Sequence, residues 1–450
     1  MGSKLMEETV VADRRPSMTK DASLTLEAMR LGVVPQTELE AYTVGRRPEM
    51  EVVQRDLERA KGEGAVRAFL GTYGSGKTHL LELVGQQARA QGFVTAQVVL
   101  NPDETAPSHP KRVYRELIRS LVYPDDKIAS GGSVEPIIEK VAADREACER
   151  FGVHRREVAR NCLDEGAHLY WTPVLRYYRA LAMGEKNEGR RLRKGEIDAE
   201  ARDEALRLLF HWVEGSPTIS NQDIDDRLRK VVGRQDRVYS LKDYRPWARI
   251  YGYLLSGLAA LVQEAGYAGL VVLVDEAEFY SLLSSENRDY AQILFKALAW
   301  ASVGERDGEG PVSRQELDVG GMGILKKLPP RYGSGGLYTV FAMTPNEEGV
   351  EALRGAVKEE EMWELGRLAM GDYQELVGAV TRHVREARPE QDFDRRLEGA
   401  LAKIVAGLLE AGYVENPRQA MKFVVEFLDL ATFRPGAMPE VIADLRAIYG

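Results

Sequence analysis

The chain has little sulfur. Among its 450 residues are two cysteines, Cys148 and Cys162. Two thiols in a chain of this size exclude a disulfide scaffold, and no Cys/His cluster has the spacing of a zinc site. Long apolar runs are missing too. The longest, such as residues 270–274, fall far short of the ~20 residues that cross a bilayer. Residues 1–20 are polar and mixed in charge, without the apolar centre of a secretory signal. Together these absences lead us to expect a reducing, cytoplasmic setting and no membrane partner. Excess positive charge is also lacking: 61 Lys and Arg face 70 Asp and Glu, a net of −9. That argues against a wholesale nucleic-acid coat protein but leaves room for a local basic groove. The six histidines are scattered, no Ser/His/Asp constellation is arguable, and no internal repeat or low-complexity tract is present.

What is present is an alternation of strand and helix signals. Residues 1–40 read as a loose entry arm. Residues 49–60 have apolar Met50, Val53 and Leu57 on one helical face, and Gly62 and Gly64 break the pattern. Residues 66–70 read as a strand, 79–90 as a helix, and 94–100 as a second strand. The next strands fall at 270–274 and 337–343, with a short last one expected at 366–370. Between the second and third strands, residues 111–123 and 244–264 are expected as core helices and about 125–240 as an α-helical insertion. Residues 287–301 read as helix and 304–336 as a long loop. Beyond residue 371 everything reads as helix: 373–388, 393–411, 418–432 and 439–449. This pattern predicts an α/β fold, a parallel sheet flanked by helices. The core would span 41–371, interrupted by the helical insertion, and 372–450 would form an α-helical lid.

Gly71-Thr72-Tyr73-Gly74-Ser75-Gly76-Lys77-Thr78 fits G-x-x-x-x-G-K-[ST] at every fixed position. Glycines let the backbone curl so that successive N–H groups face phosphate oxygens. The following helix aims its positive end at the same place. Lys77 is expected to reach the β- and γ-phosphates and the Thr78 hydroxyl to ligate Mg²⁺. His79 is read as the helix residue beside the loop. The ligand this motif predicts is a nucleoside triphosphate, ATP or its product ADP, with Mg²⁺.

A second half of the site follows the third strand. Gly269-Leu270-Val271-Val272-Leu273-Val274 runs straight into Asp275-Glu276, and ligands in open α/β sheets sit at the carboxyl ends of strands. Asp275 is expected to hold Mg²⁺ through water and Glu276 to orient and deprotonate the attacking water. Thr344 and Asn346, after the strand 337–343, are both candidates for contact with the γ-phosphate or that water; the alternative is a helix-start signal at Thr344-Pro345. Asn101 would either restrain Glu276 or shape the turn before Pro102. Arg418 sits on the first turn of a helix, where its charge opposes the dipole, so another reason for it is needed; it could reach the γ-phosphate. For an arginine finger acting on a neighbouring subunit, Arg354, Arg288 and Arg331 compete. The basic residues Arg190, Arg191, Arg193 and Lys194, with Lys326, Lys327 and Arg331, are candidates for DNA backbone contact or, equally simply, a solvated face.

The layout resembles the AAA+ class of P-loop ATPases, especially its origin-recognition and STAND branch. In that comparison Val44-Gly45-Arg46 corresponds to the segment near adenine, Asp275-Glu276 to Walker B, and Thr344/Asn346 and Arg418 to the two sensor positions. The chain resembles more closely the ATP-binding (BrxC/BrxD-like) proteins of BREX phage-defence islands. The residues that carry this are Gly74-Ser75-Gly76-Lys77-Thr78-His79-Leu80, Leu100-Asn101-Pro102-Asp103-Glu104, Val113-Tyr114-Arg115-Glu116-Leu117, Leu273-Val274-Asp275-Glu276-Ala277-Glu278 with Arg288 beyond, and Phe341-Ala342-Met343-Thr344-Pro345. The resemblance implies an ATPase that forms a homo-oligomer and works with other defence-system proteins, and it leaves DNA as a candidate partner. The competing readings are a nucleotide-gated DNA-binding loader or regulator with negligible turnover, and a scaffold whose nucleotide is structural.

Overall fold

In the computed structural model five strands make one parallel sheet: β1 (Ala65–Leu70), β2 (Phe93–Val99), β3 (Gly269–Asp275), β4 (Leu337–Met343) and β5 (Met362–Glu364), in the spatial order β2-β3-β4-β1-β5. The residues described are 15–33, 39–125, 132–154, 166–184, 198–216, 221–233, 238–305, 317, 328–388 and 395–449. They divide into two compact units. One comprises Glu49–Thr72 and Val84–Leu365; the other comprises Met1–Pro48, Tyr73–Leu83 and Gly366–Gly450.

The first unit holds the sheet. β1, β3 and β4 are buried at every position, which is why their sequences are mostly apolar rather than alternating, with Arg67 and Thr339 as buried polar exceptions. The register pairs Leu70 with Met343, Val274 with Phe341 and Val99 with Asp275. The carboxyl ends of four strands therefore share one edge. The helix Ala248–Glu264 packs on β3, and the helix Ser285–Val303 packs on β4 and β1. In the stretch expected as a helical insertion lie the helices Glu135–Ala143, Arg145–Arg150, Trp171–Ala182, Ala199–Val213 and Asn221–Val232. Their Ile137, Trp171, Leu175, Leu209 and Trp212 join the same hydrophobic cluster as Val66, Val272 and Phe341.

The last strand is not where the sequence pointed. It lies at Met362–Glu364, and the helix Met370–Ala387 has already begun at residue 370. Three residues carry no readable periodicity, and long-range bonds set this edge. Leu365 N–H donates to the Leu70 carbonyl at 2.7 Å, and Arg67 Nη1 donates to the Glu360 carbonyl at 2.9 Å. Arg67 is buried on β1. Its guanidinium forks onto Asp56, Nε to Oδ2 at 2.7 Å and Nη2 to Oδ1 at 2.9 Å, while Tyr338 Oη donates to the same carboxylate at 3.1 Å. A buried charge is tolerated when paired and hydrogen-bonded in this way.

Another buried polar centre supports the start of the helix Trp171–Ala182. His168 Nδ1 accepts from the backbone N–H groups of Tyr170 and Trp171, both at 3.1 Å, and Nε2 lies 3.2 Å from the Tyr253 carbonyl. These bonds require the neutral ring with its proton on Nε2. Burial lowers its pKa from 6.5 to about 3. As pH drops below 6.5 the unfolded chain takes up a proton that the folded chain refuses. This contribution to stability is therefore complete above 6.5 and is lost between 6.5 and about 3. His168→Asn keeps a short acceptor for the two N–H groups but does not titrate. The urea midpoint of the wild type should rise with pH across this window, and that slope should flatten in the variant. An unchanged slope would place the dependence elsewhere.

The second unit is helical around the loop tip. It contains the helices Arg15–Leu31, Met370–Ala387, Arg395–Glu410, Pro417–Phe433 and Met438–Tyr449. The expectation of a loose arm over residues 1–40 fails for Arg15–Leu31. That helix packs on Met370–Ala387 and Pro417–Phe433 and buries Leu26 and Met29. Arg30 Nε donates to Asp429 Oδ2 at 2.9 Å, and Arg388 Nη2 donates to Oδ1 of the same residue at 2.7 Å. Residues 1–14 lie outside the described residues. Among those described, no helix is long and apolar enough to cross a membrane.

Candidate phosphate-binding site

β1 ends at Leu70, and Gly71 N–H makes a last sheet bond to the Met343 carbonyl at 3.1 Å. The chain then turns through Gly74 and Gly76, with φ of 77° and 93°. A side chain at either position would strain the backbone, so the motif needs glycine there. The helix Lys77–Ala90 opens at once, and Leu80 N–H donates to the Gly76 carbonyl at 2.8 Å. Lys77 is 8% exposed and Thr78 half-buried, both on the first turn, while Thr72 and Tyr73 are exposed. A lysine, a hydroxyl and the positive end of a helix are thus collected on a few residues of curled backbone, which is the chemistry an anionic phosphate requires.

Within the helical unit several contacts hold the loop tip. Arg46 is buried; its Nη2 donates to the Ser75 carbonyl at 2.5 Å and its Nη1 to the Gly366 carbonyl at 3.3 Å. The residue matched by resemblance to the adenine side thus braces the loop itself. Gly45 has φ of 64°, and a Cβ there would stand 2.7 Å from Asp372 and Leu368. A Cβ on Gly74 would stand 2.5 Å from Asn416 Cγ, so the start of the helix Pro417–Phe433 lies against the loop. Asn416 caps that helix by accepting from Gln419 N–H at 3.0 Å. Arg418 Nη1 donates to Tyr73 Oη at 3.2 Å. His79 Nε2 lies 2.7 Å from Thr43 Oγ1, whose own proton goes to the Leu39 carbonyl at 2.7 Å. His79 must then donate from Nε2. Burial, and then the Arg46 charge, lower its pKa to about 4.

On the sheet, Asp275 closes β3 at 2% exposure, and Glu276 follows it with φ 59° and ψ 35°. Among the described residues Glu276 is the one non-glycine with positive φ. This left-handed backbone costs about 1–2 kcal/mol, and such strain concentrates at functional positions. Glu276 N–H donates to Asp275 Oδ1 at 2.9 Å. Sequence patterning gives no warning of this geometry. Thr344 follows β4 directly and is half-buried at the same sheet edge.

Other candidates are engaged in local structure. Asn346, not Thr344, caps the helix Glu347–Arg354, its Oδ1 accepting from Gly349 N–H at 2.7 Å. Asn101 Oδ1 accepts from the N–H groups of Asp103, Glu104 and Thr105 at 3.0, 2.7 and 3.2 Å, which is a turn role. Arg288 pairs with Glu348 at 2.5 Å, Arg354 with Glu359 at 3.4 Å, and Arg331 Nη2 donates to the Glu63 carbonyl at 3.0 Å. Arg190, Arg191, Arg193, Lys194, Lys326 and Lys327 lie outside the described residues.

A parallel α/β sheet with a glycine-turned loop joining β1 to a helix that opens on Lys77-Thr78 is consistent with a P-loop NTPase. Within that class, residues 18–165 match the family described as BREX system ATP-binding protein BrxC/D. The matched stretch takes in the phosphate loop together with the Asn101-Pro102-Asp103-Glu104 and Val113-Tyr114-Arg115 segments, so the resemblance read from the sequence is borne out there. No curated protein is similar enough to the chain to match it.

Proposed function

We propose that the chain binds ATP through the loop Gly71–Thr78 and hydrolyses it, acting as an oligomerising motor or switch of AAA+ type in a BREX-like anti-phage system. The observation that carries this reading is the loop itself: left-handed Gly74 and Gly76 leading into a helix that opens with Lys77 and Thr78. Lys77 neutralises the β- and γ-phosphate oxygens. Glu276 takes a proton from water as that water attacks the γ-phosphorus and the bond to the β-bridging oxygen breaks. Thr344 or Asn346 orients the water, and Arg418 meets the terminal phosphate. Thr78 and Asp275 are hard oxygen donors, the kind Mg²⁺ takes when phosphates and water complete its shell. The ion would neutralise charge that develops on the bridging oxygen.

Steady-state phosphate release with and without Mg²⁺, combined with mass in solution with and without ATP and then DNA, tests the reading. Expected are Mg²⁺-dependent turnover and a larger particle in ATP. Bound ATP without turnover, together with ATP-dependent DNA affinity, would favour the loader instead. Absence of ATP binding would end both.

A further inference from the structure

Two residues of the helical unit look misplaced when taken singly. Arg418 puts a positive charge on the first turn of the helix Pro417–Phe433, against the helix dipole. Tyr73 leaves an aromatic ring 73% exposed on the phosphate loop, next to Gly74. The two meet. Arg418 Nη1 donates to Tyr73 Oη at 3.2 Å, and its guanidinium carbon lies 5.4 Å from the Tyr73 ring centre. The aliphatic stem of Arg418 runs beside Gly32, where a Cβ would stand 3.4 Å from Arg418 Cγ. The Tyr73 contacts hold the guanidinium at the phosphate loop, so a side chain with many rotamers is restricted there.

We infer that Tyr73 is a positioning residue for Arg418: its ring holds the guanidinium beside the phosphate loop, where it selects a terminal γ-phosphate. This rests on the ATP-binding reading above. The contact is weak enough to yield. A cation–π contact at an exposed site changes an equilibrium by roughly two- to fivefold, whereas a charge-assisted bond from guanidinium to phosphate is stronger and bidentate. The arginine is therefore pre-oriented without being withheld from the ligand. ADP lacks the group that Arg418 would meet, so Tyr73 should matter for ATP and not for ADP.

The test uses the full chain with fluorescent ATP, as a non-hydrolysable analogue, and fluorescent ADP. Tyr73→Ala should weaken the ATP analogue about three- to tenfold and change ADP less than twofold. Tyr73→Phe retains the ring and should stay within about twofold of wild type for both. In an Arg418→Ala background, Tyr73→Ala should have no further effect. Equal losses for ATP and ADP, or a loss that persists without Arg418, would overturn the inference, because they would report a damaged loop rather than a positioned arginine. The Tyr73→Phe variant guards against misfolding as the explanation. Failure of the ATP-binding reading would look different: wild type would bind neither nucleotide, and the inference would fall with it.

Discussion

Glu276→Gln should retain ATP and release phosphate about 10²–10⁴ times more slowly than wild type, the range that removal of a general base produces. Glutamine matches glutamate in shape and pays the same left-handed backbone cost, so the substitution changes proton affinity and little else. It cannot accept a proton from water, and the attacking oxygen stays a poor nucleophile. The informative measurements are single-turnover phosphate release and the amount of ATP still bound after gel filtration. Release within tenfold of wild type would place the base elsewhere and leave Glu276 as a shaping residue.

Lys77→Ala acts one step earlier, on binding. Each charge-assisted bond from the ammonium to a phosphate contributes about 1.5–3 kcal/mol. Two such bonds correspond to a loss of roughly 10²–10⁴-fold in ATP affinity. The side chain is 8% exposed on the first turn of Lys77–Ala90, and alanine is a good helix former. The variant should fold, which a circular dichroism melt beside the nucleotide titration would establish. Tight ATP binding by folded Lys77→Ala would remove the phosphate loop from the site.

The sequence was readable wherever burial imposed a pattern. β1, β3 and β4 could be placed because strands covered on both faces become apolar runs, and the helices beyond residue 371 because one apolar face repeats along them. β5 could not, since Met362-Trp363-Glu364 is too short to show a period and its place is set by Arg67 and Leu70, about 290 residues away in sequence. The site divides in the same way. Gly74, Gly76, Lys77 and Thr78 follow one another in the chain, so local chemistry reveals them. Tyr73 and Arg418 are 345 residues apart, and nothing local to either announces the other. Asn346 was half legible. A cap was signalled near Thr344-Pro345, but the acceptor is the asparagine two residues on, whose backbone is extended and whose side chain accepts from Gly349 N–H.

The left-handed Glu276 has a consequence for how this protein would change under selection. Glycine relieves such a backbone, and asparagine tolerates it better than glutamate does. A laboratory search for heat-resistant variants, blind to turnover, would find Glu276→Gly among its cheapest gains and discard the proposed proton acceptor in the same step. A population of this chain that keeps glutamate at 276 is being held there by something other than folding.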